Sequence, residues 1–202
     1  MLNNFMKEKQ IIILGSIITA AMLVAAIFLF NGNSGQSSST SQTVNISLDS
    51  LVGKTAPDFT LENYNGEKVT LSKLKGKNVV LFFSEGLMCY PACWDQIAAF
   101  GKDNEFASKD TIALTILNDP KSDWKMAIEK MPELAKAVVL FDTDKRISIT
   151  YDMLSLPSSM HKGQLPGHTY VVIDKEGIVR YVKDDVSMAV RNQELIAEIN
   201  KL

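Results

Sequence analysis

This chain has no excess of basic residues, only two cysteines and no internal repeat, and each of these features limits the range of possible functions. With 21 basic against 23 acidic side chains, the sequence has no basic excess to neutralise a nucleic-acid backbone, so nucleic acid is not an expected partner. Only two cysteines are present, so any thiol chemistry depends on one pair. No internal repeat is found. At 202 residues the chain has room for one globular domain and an appendage.

A long hydrophobic run near the N-terminus is the appendage. The twenty residues Ile11–Phe30 contain no charge and are enough to cross the hydrocarbon core of a bilayer as a helix. Lys7 and Lys9 precede the run, so the positive-inside tendency predicts a cytoplasmic N-terminus and an extracytoplasmic remainder. A signal peptide is the alternative, but it needs a shorter apolar core followed by a small-x-small cleavage site. No cysteine stands directly after the run, so lipid attachment is not indicated.

These observations divide the chain into four parts. Residues 1–10 are predicted to be a cytoplasmic N-terminus and residues 11–30 a transmembrane helix. Residues 31–50 are rich in Ser, Gly, Asn and Gln and form a flexible tether. Residues 51–202 form the folded domain. The predicted location is the cell membrane, crossed once, with the domain in an extracytoplasmic compartment where disulfides persist.

Apolar runs alternate with helix-like patterns through the domain. Strands are predicted at 78–83, 111–117, 137–141, 168–173 and 178–182, and helices from Cys89 onward and at 122–131, 145–151 and 192–202. Asn65-Gly66 predicts a two-residue hairpin turn. Strands that alternate with helices and finish on a hairpin plus a helix predict an α/β sheet with helices on both sides.

The two cysteines follow the first central strand directly. In the segment 79–100 (VVLFFSEGLMCYPACWDQIAAF), a short turn leads to Cys89 and Cys93 at the start of a helical pattern. The unpaired N–H groups of a helix N-terminus favour thiolate over thiol. Two cysteines on the first turns of one helix share a face at a Cα separation of roughly 6 Å, which a disulfide can bridge. The pair is therefore a redox or metal-binding pair, and the alternative is two inert or purely structural cysteines.

The domain resembles the redoxin group of thioredoxin-fold proteins, which includes the AhpC/TSA peroxiredoxins and the membrane-anchored TlpA/ResA-type thiol–disulfide oxidoreductases. The matching segments are VGKTAPDFTL at 52–61, NGEKVTLSKLKGKNVVLFF at 65–83, the cysteine turn, and HTYVVIDKEGIVRYV at 168–182. They occur in the expected order over about 130 residues. The resemblance implies a thioredoxin-like fold with a central mixed sheet flanked by helices.

The resemblance also implies catalytic roles for three residues. Cys89 takes the place of the exposed nucleophile and Cys93 that of the resolving thiol, although three residues separate them where the oxidoreductases have two. His168 stands where the family has a cis-proline, or a peroxiredoxin arginine, facing the cysteines. A neutral imidazole there can accept the proton of Cys89 or stabilise its thiolate. The alternative is a histidine at a strand end that only hydrogen-bonds backbone.

Further side chains close to the cysteines in the sequence, or predicted to face them, are candidates for binding a substrate, a proton or a metal. The predicted substrate groove beside the pair consists of Tyr90, Pro91, Trp94 and Gly167, although Trp94 is also well suited to core packing. Glu85 lies in the turn before the cysteines, as a proton relay or as a solvated side chain. His161 lies in a polar loop and is expected to be exposed, with a metal role left open.

The preferred function is an extracytoplasmic thiol–disulfide oxidoreductase that is anchored in the membrane and needs no cofactor. Its partners are extracytoplasmic protein thiols and disulfides and a membrane or extracellular thiol donor. The second function is a copper-binding assembly protein similar to the Sco type, with Cys89, Cys93 and His168 as ligands, a set that suits copper. Against it, Trp94 stands where that family has a proline, and His168 lies closer to Asp174 than the family pattern predicts.

The third function is a thiol peroxidase, an antioxidant of the peroxiredoxin type. That family has the pattern Pro-x-x-x-Thr/Ser-x-x-Cys around its reactive cysteine. Counting back from Cys89 places Gly86 at the hydroxyl position and Phe82 at the proline position. Counting back from Cys93 places Tyr90 and Gly86 there. Peroxidase activity is therefore expected to be weak or absent.

Overall fold

The computed structural model describes residues 48–202. The predicted N-terminus at 1–10, the transmembrane helix at 11–30 and most of the tether at 31–50 lie outside the described residues, so membrane anchoring stays a prediction. Between residues 48 and 202, every helix is too short or too polar to cross a bilayer.

Strands and helices alternate along the described chain. The strands are β1 (Thr60–Asn63), β2 (Lys68–Thr70), β3 (Asn78–Phe83), β4 (Thr111–Leu117), β5 (Val138–Phe141), β6 (Thr169–Ile173) and β7 (Val179–Asp184). The α-helices are α1 (Ala92–Lys102), α2 (Glu105–Ser108), α3 (Lys121–Lys130), α4 (Arg146–Thr150) and α5 (Asn192–Ile199). Short 3₁₀ turns occur at Leu48–Leu51, Leu71–Leu74, Gly86–Met88 and Pro132–Lys136.

The strands form one mixed sheet in the order β2-β1-β5-β4-β3-β6-β7. Strands β3, β4 and β5 run parallel to each other. Strand β6 pairs antiparallel with β3, and β7 with β6, while β1 pairs antiparallel with both β2 and β5. The predicted thioredoxin-like α/β fold with a central mixed sheet flanked by helices is therefore confirmed for the described residues.

Strand β3 is buried along its whole length. All six of its residues are buried, which is typical of a central strand that is covered on both faces. Val80 and Phe82 point to the face where Cys93 packs, and Val79, Leu81 and Phe83 belong to the core of the other face. Successive strand residues point to opposite faces, so one continuous apolar run supplies both cores.

The hairpin between β1 and β2 is present, but its loop is longer than predicted. Four residues, 64–67, connect the strands in place of a two-residue turn. The side-chain oxygen of Asn63 accepts hydrogen bonds from the backbone N–H groups of Asn65 and Glu67, each at 2.9 Å. Asparagine often caps turns in this way, and here it stabilises the wider loop.

The segment 185–191 connects β7 to α5 and folds over the start of β6; we call it the strap. The backbone N–H of Asp185 donates to the carbonyl of His168 at 2.9 Å. The Asp185 carboxylate accepts hydrogen bonds from Ser187, from the Ala189 backbone and from the guanidinium of Arg191. Burial raises the pKa of Asp185, but these hydrogen bonds lower it by a larger amount. The pKa therefore lies well below its usual range. The strap is therefore held by a charged carboxylate.

Candidate functional site

Cys89 and Cys93 form a disulfide beyond the carboxyl end of β3, with their Cα atoms 5.3 Å apart. The expected separation of roughly 6 Å for two residues on one helical face is close to this value. The two cysteines do not, however, share the first turns of one helix. Cys89 follows the 3₁₀ turn Gly86–Met88, and Cys93 is the second residue of α1. The N–H of Cys93 donates to the carbonyl of Cys89 at 2.9 Å, which joins the turn to the helix.

Both cysteines are buried in this disulfide form. Cys93 is fully buried, and Cys89 is only 3% exposed. The prediction of an exposed Cys89 is wrong for the oxidised protein, because its side chain joins the hydrophobic cluster that also contains Cys93 and Trp94. The side chains on either side of Cys89 are the accessible ones, with Met88 at 59% and Tyr90 at 51% exposure.

The turn before Cys89 fits tightly against the loop that follows β4. The N–H of Leu87 donates to the Asp119 carboxylate at 3.1 Å, and the indole N–H of Trp94 donates to the carbonyl of Gly86 at 3.1 Å. Gly86 has a φ of +60°, and a Cβ atom on it would lie 1.7 Å from Oδ2 of Asp119. Burial raises the pKa of Asp119 above its usual value. Only glycine fits at residue 86 without displacing Asp119.

Glu85 is buried and anchors a second loop to the cysteine turn. Its Oε1 accepts hydrogen bonds from the N–H of Met160 at 2.6 Å, the N–H of His161 at 3.0 Å and the hydroxyl of Ser159 at 3.0 Å. Its Oε2 lies 3.1 Å from Nδ1 of His161. The interpretation of Glu85 as a solvated side chain is wrong, because its side chain is 1% exposed.

His168 lies against Cys93. Its Nδ1 is 3.5 Å from the Sγ of Cys93, and its Nε2 is 2.7 Å from the hydroxyl of Tyr170. Burial lowers the pKa of His168 to about 4, so the ring is neutral at pH 7. The alternative of a histidine that only hydrogen-bonds backbone does not hold, because both ring nitrogens face side chains. The structure brings His168 against Cys93, and one of its ring nitrogens also lies within 4.8 Å of the Sγ of Cys89, near which the sequence predicts it.

A chain of buried polar side chains extends from His168 toward α5, and sequence reasoning missed it. The Tyr170 hydroxyl donates to Oε1 of Gln96 at 2.8 Å, and Nε2 of Gln96 donates to Oδ1 of Asn192 at 2.8 Å. Nδ2 of Asn192 then donates to Asp103 at 2.9 Å. The only sequence signal is a polar Gln96 among apolar residues on the buried face of α1.

The predicted groove residues fall into two groups. Tyr90 and Pro91 are exposed beside Cys89, and the ammonium of Lys130 lies 3.9 Å from the centre of the Tyr90 ring. Trp94 and Gly167 are buried. A Cβ atom on Gly167 would lie 2.1 Å from the Oγ of Ser158, so this glycine permits close packing. Tyr90 and Pro91 are therefore the predicted groove residues that a partner can reach.

The two cysteines and His168 also have the composition of a metal site. One donor atom from each residue lies within 4.8 Å of the other two. His161 does not belong to this group. Thiolate sulfur and imidazole are soft ligands that suit copper. Metal binding would require the reduced pair, because thiolates and not a disulfide are the ligands.

Comparison with known proteins identifies relatives over most of the domain. Residues 52–182 match the model of the AhpC/TSA family. Peroxiredoxin Q, chloroplastic, of Sedum lineare is 33% identical over 135 residues, which cover 64% of this chain and 67% of that protein. Peroxiredoxin Bcp of Bacillus subtilis (strain 168) is 30% identical over 135 residues, covering 66% and 83%.

A further relative and a solved structure complete the comparison. Thiol-disulfide oxidoreductase ResA of Bacillus subtilis (strain 168) is 30% identical over 109 residues, covering 53% of this chain and 59% of ResA. The mitochondrial 2-Cys peroxiredoxin of Plasmodium falciparum is 26% identical with a TM-score of 0.62, covering 75% of this chain and 93% of that one. The chain spans 57% to 67% of the length of the chloroplastic peroxiredoxin Q relatives.

Replacing Glu85 by Ala should destabilise the protein. The N–H group of Met160 loses its acceptor, whereas the N–H of His161 and the hydroxyl of Ser159 each keep a second acceptor. We expect the free energy of unfolding to fall by about 1 to 3 kcal/mol, because one backbone donor loses its partner and the hydrogen bonds to the carboxyl group are lost. Urea denaturation of the full-length oxidised protein measures the change. The exposed Glu62 of β1 is the control, and Glu62→Ala should change stability by less than about 0.5 kcal/mol. Equal effects of the two variants would contradict the anchoring role.

Proposed function

The chain belongs to the AhpC/TSA family, and from this premise we propose that it is a thiol–disulfide oxidoreductase that acts through Cys89 and Cys93. The observation that carries the proposal is a disulfide-bonded pair in which the Sγ of Cys93 lies 3.5 Å from Nδ1 of the neutral His168 ring. A dithiol that closes into a disulfide beside a proton acceptor has the groups that thiol–disulfide exchange requires. The similarity to ResA, a thiol–disulfide oxidoreductase by name, supports the same activity.

The unequal surroundings of the two sulfurs support the assignment of their roles. In the reducing direction, the Cys89 thiolate attacks a partner disulfide, one partner sulfur leaves as thiolate, and a mixed disulfide forms. Cys93 then attacks the Sγ of Cys89, closes the internal disulfide and releases the second partner thiol. Cys89 precedes the exposed Tyr90, whereas Cys93 is fully buried in α1. Both cysteines are buried in the disulfide form, but Cys89 lies in a turn between two exposed side chains, whereas Cys93 lies in α1 against His168. We therefore assign Cys89 as the attacking residue and Cys93 as the resolving residue.

The proposed partners are extracytoplasmic protein thiols and disulfides, with a membrane or extracellular thiol donor closing the cycle. The hydrophobic run at 11–30 would anchor the protein in the cell membrane and hold the domain outside the cytoplasm. Tyr90 and Pro91, next to the exposed Met88, form the surface that a partner peptide would contact. The exchange needs no resident cofactor, because the two sulfurs carry the electrons themselves.

The test of this proposal is the reduction potential of the cysteine pair. Full-length protein is equilibrated in metal-free thiol–disulfide buffers, and the oxidised fraction is read by thiol labelling and mass spectrometry. We expect a reversible couple between about −300 and −120 mV, the range of proteins that exchange disulfides. A pair that stays reduced throughout, or that remains a disulfide far below this range, would overturn the proposal.

Removing the resolving thiol should trap the reaction at its intermediate. We expect Cys93→Ser, incubated with an oxidised partner or a small disulfide, to accumulate a mixed disulfide on Cys89 that is stable until a reductant is added. The control is Cys89→Ser, which leaves only the buried Cys93 and should accumulate far less adduct. Mass spectrometry of the intact protein measures both. Comparable adduct on the two variants would contradict the assigned roles.

Copper binding is the second candidate function, and the grouping of three donor atoms within 4.8 Å favours it. In the reduced protein, Cys89 and Cys93 would supply two thiolates and His168 one imidazole nitrogen, a set that suits Cu(I). The Nε2 of His168 is hydrogen-bonded to the Tyr170 hydroxyl. A hydrogen bond of this kind orients a histidine that binds a metal through its other ring nitrogen. The ring could therefore present Nδ1 to the metal in a fixed orientation.

Loss of His168 tests the proposed copper ligand set directly. We expect His168→Ala to weaken Cu(I) binding by more than about tenfold, because even outer partners of metal ligands are worth 10- to 100-fold. Competition with a chromogenic Cu(I) chelator, performed on reduced full-length protein without oxygen, gives the affinity. His161→Ala is the matched control, since His161 lies outside the donor group. Unchanged affinity of His168→Ala would eliminate the proposed ligand set.

A further inference from the structure

The reactivity of the His168 ring depends on which of its nitrogens carries the proton. A neutral imidazole has one N–H donor and one acceptor nitrogen. If Nδ1 carried the hydrogen, the ring would present a donor to Cys93 and could not accept a thiol proton. The side chains that are hydrogen-bonded in series from His168 to Asn192 determine which form is present.

The residue of this hydrogen-bonded series that lies farthest from His168 is Asn192. Its Nδ2 lies 3.2 Å from the carbonyl of Ala99 and 2.9 Å from a carboxylate oxygen of Asp103, and neither oxygen can donate. The amide nitrogen therefore faces these acceptors, and Oδ1 faces the side chain of Gln96 at 2.8 Å. Consequently the nitrogen of Gln96 points to Asn192.

The other atom of the Gln96 amide, Oε1, is fixed twice as an acceptor. The backbone N–H of Arg191, a group that can only donate, lies 2.7 Å from it. The Tyr170 hydroxyl lies 2.8 Å from the same atom, and the carbonyl of Ala189 is 3.2 Å from that hydroxyl. Neither Oε1 of Gln96 nor the carbonyl oxygen of Ala189 carries a hydrogen. The single hydroxyl hydrogen of Tyr170 therefore points toward these two oxygens and not toward His168.

The Tyr170 oxygen consequently offers a lone pair to His168. Nε2 of His168 is 2.7 Å from that oxygen, and two lone pairs at this distance would repel each other. Nε2 must therefore carry the ring hydrogen and donate it. Nδ1 is left as the acceptor, 3.5 Å from the Sγ of Cys93.

We propose that Tyr170 and Gln96 are positioning residues that hold His168 in its Nε2–H form, so that Nδ1 receives the thiol proton of Cys93 when this residue resolves a mixed disulfide. The proton-transfer part rests on the proposed oxidoreductase function. In that step the S–H bond of Cys93 breaks toward Nδ1, and a bond forms between the sulfurs of Cys93 and Cys89. The bond between Cys89 and the partner breaks, and the partner thiolate takes up the proton that the imidazolium releases. The partner disulfide is the oxidant, so atoms and electrons balance.

Nitrogen NMR of the full-length, ¹⁵N-labelled protein in detergent micelles tests the assignment directly at pH 7. In the wild-type protein we expect a protonated, pyrrole-like Nε2 and an unprotonated, pyridine-like Nδ1 for His168. Tyr170→Phe removes the acceptor of the Nε2 hydrogen and should produce a mixture of the two forms. Tyr181→Phe is the matched control, because the Tyr181 hydroxyl donates to Glu194. A wild-type ring with its hydrogen on Nδ1 would overturn the proposal without any variant.

The kinetic test uses the closure of the mixed disulfide. Reduced protein is mixed with a small chromogenic disulfide, and the release of the second thiol, which follows the attack by Cys93, is timed at pH 7. We expect Tyr170→Phe to slow this phase by about tenfold or more, since a positioned base contributes 10²- to 10⁴-fold. Tyr181→Phe should stay within about twofold of the wild type.

The two measurements separate this inference from the function on which it rests. If the wild-type pair exchanges disulfides while Tyr170→Phe keeps both the ring form and the closure rate, the positioning role is wrong and the oxidoreductase function stands. If the NMR spectrum shows Nε2–H but the pair never exchanges, the oxidoreductase function and the proton transfer are wrong. The control of the ring form by Tyr170 would then remain as a structural property.

Discussion

Strand β3 is buried on both faces. The residues of the site are those that its two neighbouring strands place beside its carboxyl end. On one side β6 pairs antiparallel with it, and Phe83 lies opposite Thr169, so His168 arrives level with the cysteine turn. On the other side β4 runs parallel, and Phe83 lies opposite Ile116, so the chain leaving β4 brings Asp119 to the same turn. The register of two strand pairs therefore places a neutral histidine and a carboxyl group that binds the turn around one cysteine pair.

Two buried carboxylates hold the segments that surround the pair. Glu85 binds the loop at 159–161 through backbone and side-chain donors, and Asp185 binds the strap through Arg191 and backbone groups. A buried charge is tolerated only when it is well hydrogen-bonded, so each carboxylate requires its loop to keep one arrangement. Buried polar groups therefore fix both segments beside the cysteines, while Met160 on the loop and Val186 on the strap are exposed.

Local patterns in the sequence were sufficient for the central strands and for the pairing of the two cysteines, but not for the position or burial of Cys89. Strand β4 begins and ends where its apolar run predicts, at Thr111 and Leu117, because an uninterrupted run of this kind depends only on its own residues. Glu85 and Gln96 could not be interpreted in this way. Their partners His161 and Asn192 lie 76 and 96 residues further along the chain, and nothing near either residue indicates what it meets. A single sequence shows that a residue is polar, whereas the fold determines whether it is buried and satisfied.

The fit of Gly86 against Asp119 also limits how the chemistry of this chain can change. The peroxiredoxin pattern requires a hydroxyl-bearing residue three positions before the reactive cysteine, and for Cys89 that position is Gly86. A serine or threonine there needs a Cβ atom where the Asp119 carboxylate now lies, 1.7 Å away, and an unfavourable positive φ. A hydroxyl-bearing residue at position 86 would therefore have to keep a positive φ and push the Asp119 carboxyl group away from its hydrogen bond with the N–H of Leu87.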